Sequence, residues 1–173
     1  MITLNNIVDQ MRDYYSANEF IKTFTFGEIE LMDLMKRTLF PIIHVPPGTT
    51  SFEKGVLTYS FEITACDLLH SQMDKTIGGI TSTKEVKIQE LLSDTLRYLQ
   101  DLDAEIRHGF LYMKFGSEYE LNLPISCEPF VEEYKNVLVG WTGSFSISVN
   151  YSGSSCDAPL LDDPTYNSTY VES

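Results

Sequence analysis

From Leu57 to Ala65 apolar and polar residues alternate without a break. Leu57, Tyr59, Phe61, Ile63 and Ala65 share one parity, and Thr58, Ser60, Glu62 and Thr64 share the other. Successive side chains of a strand point to opposite faces, so this stretch reads as a strand with one dry face. Ahead of it Phe40, Ile42, Ile43 and Val45 form a compact apolar run, and Pro46, Pro47, Gly48, Lys54 and Gly55 lie between the two. Those residues are turn and loop chemistry. Residues 40–67 therefore predict a β-hairpin with a protruding tip.

The chain before the hairpin opens with Leu4, Ile7, Val8, Met11, Tyr14 and Tyr15 at helical spacing, behind Thr3, whose hydroxyl can cap the first turn. This predicts an amphipathic helix over residues 4–17 that lies on the core. Residues 20–26 alternate in a β-like way up to Gly27, and residues 28–36 fit a helical turn or a strand edge equally well. After the hairpin, residues 68–82 have no sustained period and read as a long loop, with a turn of helix at its start as one option.

Ser82 and Glu85 match a capping box, and Ile88, Leu91, Leu92, Thr95, Leu99, Leu102 and Ile106 then form one stripe that Gly109 ends. The expectation is a long helix clamped on the sheet by six aliphatic side chains. The remainder is β. Tyr119, Leu121, Leu123 and Ile125 alternate up to a break at Pro124, residues 130–134 follow, and residues 137–151 set Phe145, Ile147, Val149 and Tyr151 against Ser144, Ser146, Ser148 and Asn150. That hydroxyl-rich side is either solvated or meets another protein. Gly140 and Gly143 around Trp141 suggest a bulge or bend. The fold class is α+β: an antiparallel or mixed sheet with a long hairpin, packed by an N-terminal helix and one long amphipathic helix. Residues 1–153 form a single domain, and residues 154–173, rich in Ser, Asp, Pro, Asn and Thr, a tail or arm.

Charge and cysteine usage exclude more than they assign. Lys and Arg number 12 against 25 Asp and Glu, a formal charge of −13, so the surface cannot hold nucleic acid by neutralising phosphates. The acidity serves solubility, or it forms a wall that repels DNA and lets it slide. Cys66, Cys127 and Cys156 are too few and too far apart for a zinc knuckle or redox pair. Neither a signal peptide nor a membrane span is expected, which suits a reducing cytoplasm.

Asp67, His70 and Asp74 match no metal signature, and His44 in its apolar run reads as a packed, hydrogen-bonded imidazole. His108 is placed to favour the negative end of the long helix. Nucleophile elbow, phosphate loop and dinucleotide fingerprint are all missing. The carboxylate pairs Glu132–Glu133, Asp101–Asp103 and Asp162–Asp163 read as solvated surface. The expectation is a protein without catalytic residues, metal or cofactor.

The order of elements, with Phe26-Gly27-Glu28-Ile29-Glu30 and Lys36, then Phe40-Pro41-Ile42-Ile43-His44-Val45, then Gly140-Trp141 and Cys156-Asp157-Ala158-Pro159, resembles the tail-terminator or tail-completion neck proteins of tailed bacteriophages, those of crAss-like phages in particular. The resemblance spans residues 20–159. It implies a structural virion protein, made in the host cytoplasm, that forms a homo-oligomeric ring of six- or twelve-fold symmetry between portal and tail. Its partners would be neighbouring portal, connector or tail proteins, with DNA passing through but not bound, and no membrane. Such rings are built from head-to-tail interfaces. The contact residues expected are Pro46, Pro47 and Phe52 on the hairpin tip, Met73 and Ile77 on the following loop, and Tyr151, Leu160 and Tyr166 at the tail. Strand addition between neighbours is one mode of contact. The alternative class is a small acidic adaptor that binds a basic protein, without enzymatic activity.

Overall fold

The computed structural model describes residues 2–27, 39–69, 76–77, 80–81, 84–109, 119–133 and 137–151. In chain order the elements are α1 (Leu4–Ala17), β1 (Thr23–Phe26), β2 (Ile42–Val45), β3 (Thr50–Glu53), β4 (Val56–Leu69), β5 (Thr76–Ile77), β6 (Ile80–Thr81), α2 (Lys84–His108), β7 (Tyr119–Glu133) and β8 (Val137–Asn150). The fold is α+β. A six-stranded mixed sheet runs β1-β2-β4-β8-β7, with β3 beside β4, and β5 and β6 make a separate two-stranded piece.

The hairpin is real and is built in two tiers. β2 pairs antiparallel with the far end of β4, His44 opposite Thr64, while β3 pairs with its near end, Phe52 opposite Leu57. Lys54 and Gly55 make the turn. Residues 46–49 step the chain from one tier to the other, and here the Ser60 N–H donates to the Thr49 carbonyl at 2.8 Å. β1 joins the β2 edge in parallel, Thr23 opposite Ile42. β4 runs on to Leu69, so the first residues of the expected loop are strand.

Parity decides where the helices go. Leu57, Tyr59, Phe61, Ile63 and Ala65 of β4 and Phe145, Ile147 and Val149 of β8 are buried on one face, beneath Ile7, Val8, Met11 and Tyr15 of α1 and Leu99, Leu102 and Ile106 of α2. At the centre Phe61 stacks on Phe145, ring centroids 5.4 Å apart. α1 starts on a capping box in which Thr3 and Asn6 satisfy each other's backbone amides. α2 ends where Gly109 N–H donates to the Glu105 carbonyl. The capping box expected at Ser82 and the ambiguous segment 28–36 lie outside the described residues, except that α2 begins at Lys84 with Glu85 in its first turn.

Of the six aliphatic side chains expected to clamp α2, only Leu99, Leu102 and Ile106 are buried; Ile88, Leu91 and Leu92 are half-exposed. The first turns of α2 carry the same stripe but are not sealed by the sheet. Aromatic donors fix the rest of the helix in place. Trp141 Nε1–H donates to the Leu92 carbonyl at 2.8 Å, Tyr15 O–H to the Tyr98 carbonyl at 3.2 Å, and Tyr119 O–H to the Ile106 carbonyl. Each reaches a main-chain oxygen of α2 from a different element, so the helix is held against sliding as well as lifting. Trp141→Phe keeps the ring and loses one of these bonds. It should lower stability by about 0.5–1.5 kcal/mol, read as an earlier thermal midpoint with unchanged circular dichroism.

Two expectations about β7 and β8 are corrected. No bulge occurs at Gly140 or Gly143, where β4 and β8 stay in register. Gly140 instead marks a close approach: a Cβ there would lie 2.2 Å from the Ala65 carbonyl oxygen. The irregularity falls in β7, between Asn122 and Ser126 around Pro124, and β7 continues through it as one strand instead of breaking in two. No helix among the described residues is long and apolar enough to cross a membrane.

Candidate assembly surface

Because both helices lie on one face, much of the other face of the sheet is open. It presents Thr58, Ser60, Glu62 and Thr64 from β4, Thr142, Ser144, Ser146, Ser148 and Asn150 from β8, and Glu120, Asn122, Ser126 and Glu128 from β7. All are half-exposed or exposed. The small side chains bond to one another across strands. Thr58 and Ser148 hydroxyls lie 3.0 Å apart, and Asn122 Nδ2 donates to Ser146 Oγ at 3.0 Å and Ser148 Oγ at 2.9 Å. These positions include carboxylates and hydroxyls but no lysine or arginine, so the surface is hydrated and mildly negative. At the β2 end the pattern closes over, and Ile42 and Cys66 are buried on this side too.

At the opposite end of β4 the expected contact residues begin to converge. Phe52 of β3 is 68% exposed, and its ring meets Tyr151 edge-on with centroids 6.0 Å apart. Tyr151 is held there because its N–H donates to the Gly55 carbonyl at 2.9 Å. The end of β8 is thus tied to the hairpin turn, and the chain leaves the sheet beside an aromatic pair in which Phe52 is exposed and Tyr151 half-buried. Pro47 is exposed and Pro46 half-buried on the step between β2 and β3. Ile77 falls in β5, which pairs with β6, in place of the unstructured loop expected there. Met73, Leu160 and Tyr166 lie outside the described residues.

A second surface was not legible in the sequence. The register shift in β7 turns Leu123 outward, 57% exposed, beside a groove of about 420 Å³ between β7 and α2. Leu96 and Leu99 of α2 and Ile125 and Cys127 of β7 line it. On its rim Arg107 Nε–H donates to Asp103 Oδ1 at 2.7 Å. The sign in the sequence was Pro124 within an alternating run, since proline within a sheet marks an edge strand or a bulge. The same edge carries Pro129, Glu128 and Glu132. Prolines lack an N–H to offer, and charges discourage pairing, so this edge is a poor template for strand addition.

Groups that could do chemistry are placed structurally. His44 is 3% exposed, with Nδ1 2.8 Å from the Thr25 hydroxyl, and its Nε2 has no hydrogen-bond partner among the described residues. Burial holds its pKa below the usual value of 6.5. The unfolded chain therefore takes up the proton first, and the stability that neutral His44 contributes is complete above that value and drains away as pH falls below it. A urea midpoint that drops from pH 7 to pH 5, with a shallower drop in His44→Gln, is the expected result. Burial, with Asp67 and Glu132 nearby, pushes the Cys66 thiol up to about 12, which leaves it inert as a nucleophile. Cys66 and Cys127 are free thiols. Asp67 Oδ1 accepts from the Leu68 N–H, while His70 and Asp74 lie outside the described residues. No cluster of three or more His, Cys, Asp or Glu side chains that could hold a metal occurs among the described residues.

Comparison with known proteins finds no family model and no curated protein that matches the chain.

Proposed function

We propose that the protein is a structural subunit of an oligomeric ring in the head–tail connector or tail of a tailed bacteriophage, similar to a tail terminator, surrounding the channel through which DNA passes. The observation that carries this reading is the open sheet face. A wall of hydroxyls and the carboxylates Glu62, Glu120 and Glu128, with no cation at those positions, hydrates and repels a duplex and does not grip it. The order of elements supports the same reading through its resemblance to neck proteins. The exposed tip at Phe52 supplies a reaching element.

Negative-stain electron microscopy of the concentrated chain tests it. Annular particles with six- or twelve-fold symmetry and an open centre are expected, and short duplex DNA added at low salt should not be retained. A single copy that captures a basic protein one to one, with no annuli, would replace the ring with an acidic adaptor.

A further inference from the structure

Among the described residues the sheet has two free sides, and they are guarded differently. Along β7 the prolines and acids discourage pairing. On the other side β1 covers β2, while β3 has β4 as its one neighbour among the described strands. All four residues of β3 are exposed, Phe52 by 68%, and none is proline. The phase of the hairpin sets which of their backbone groups point outward. Ser60 N–H donates to the Thr49 carbonyl, and bonded pairs alternate with unbonded ones along an antiparallel ladder. Thr49, Ser51 and Glu53 therefore face β4, and Thr50 and Phe52 turn their N–H and C=O groups away from it. We propose that this edge pairs antiparallel with β3 of a second copy, about a two-fold axis that passes beside Phe52.

The strand is complementary to itself in one register. Residues directly opposite in an antiparallel pair share a face, so Phe52 can stand opposite Thr50, Phe52 or Lys54 of the second copy. Opposite Lys54 it would bring Glu53 against Glu53, and like charges directly opposite destabilise a sheet. Opposite Thr50 the ring finds no aromatic partner. Opposite Phe52 the two rings lie side by side, Glu53 faces Ser51, and Lys54 faces Thr50, with no like charges opposed. The two Phe52 residues then exchange N–H to C=O bonds across the axis. Tyr151, edge-on to Phe52, extends the aromatic row on each side. In this register β4 of the second copy starts level with Ser51 and runs past the Gly55 turn, so its body lies clear of β1 and β2. Four residues a side fall well short of the roughly 1,200 Å² of a stable interface, so the contact is weak in dilute solution and forms where copies are crowded. A two-fold contact stops at two copies, so it neither builds the ring proposed above nor depends on it.

Disulfide trapping reads the register and keeps Phe52 in place. Ser51 of one copy stands opposite Glu53 of the other as an unbonded pair, with Cα atoms about 4.5 Å apart and within the reach of a disulfide. A mixture of full-length Ser51→Cys and Glu53→Cys, oxidised at high concentration, should give a band at twice 19.7 kDa on a non-reducing gel. Each variant alone should stay at the wild-type level, since two copies of the same position lie diagonally, about 7–8 Å apart. Phe52→Asp in both partners should cut the yield about tenfold, because it removes the ring pair and opposes two carboxylates. All three positions are exposed, so the variants should fold, which circular dichroism verifies. Equal yield from the mixture and from either variant alone overturns the proposal. So does a mixture that stays at the wild-type level, or a yield that Phe52→Asp leaves unchanged. The gel counts covalent pairs only, so it reads the same whether or not the copies also form annuli.

Discussion

Phe61→Ala should cost the fold about 3–5 kcal/mol, the range for emptying a buried phenylalanine site. Phe61 is 3% exposed at the middle of β4, stacked on Phe145 with 24° between ring planes. β4 and β8 are paired in unbroken register from Val56 to Leu69, so the backbone on either side cannot close in to fill the cavity. Domains of this size are stable by about 5–15 kcal/mol, and the loss should show as a much lower urea midpoint with little change in slope. A shift below about 1 kcal/mol would mean that the sheet can relax around the missing ring, contrary to the packing described here.

Gly48→Ala is the second large effect, and it is local. A Cβ at Gly48 would fall 1.7 Å from the Ser60 carbonyl oxygen, a backbone atom that cannot swing aside. The step between β2 and β3 must then lift off β4, which breaks the Ser60–Thr49 bond and loosens the tier that carries Phe52. Overpacking of this kind costs about 1–3 kcal/mol or more. Hydrogen exchange should show the Ser60 amide losing its protection while the amides of α2 keep theirs. Unchanged protection at Ser60 would contradict the close approach.

The elements that could be read from sequence are those with one long, one-sided period. α1, α2, β4 and β8 are of this kind, because their core is set by their own repeat. What sequence periodicity does not carry is the partner. It marked residues 20–26 as β-like but not the parallel seat of Thr23–Phe26 beside β2, and it marked a stripe on α2 without showing that Ile88, Leu91 and Leu92 are only half-covered. Pro124 looked like the end of a strand, yet pairing with β8 on both sides holds β7 together through a register shift. That shift exposes Leu123 and opens the groove, so the second surface came from pairing and not from composition. Phe52 and Tyr151 could be named separately. Their contact depends on the Gly55–Tyr151 hydrogen bond, which joins positions almost a hundred residues apart in the chain.

The ring is tested most directly by the mass of the full chain in solution, measured by light scattering and repeated after truncation beyond Gly153. Six or twelve times the 19.7 kDa subunit is expected for the full chain, and a fall towards the single subunit when the residues after Gly153 are removed. A full chain that stays at one subunit mass across the whole concentration range would contradict it.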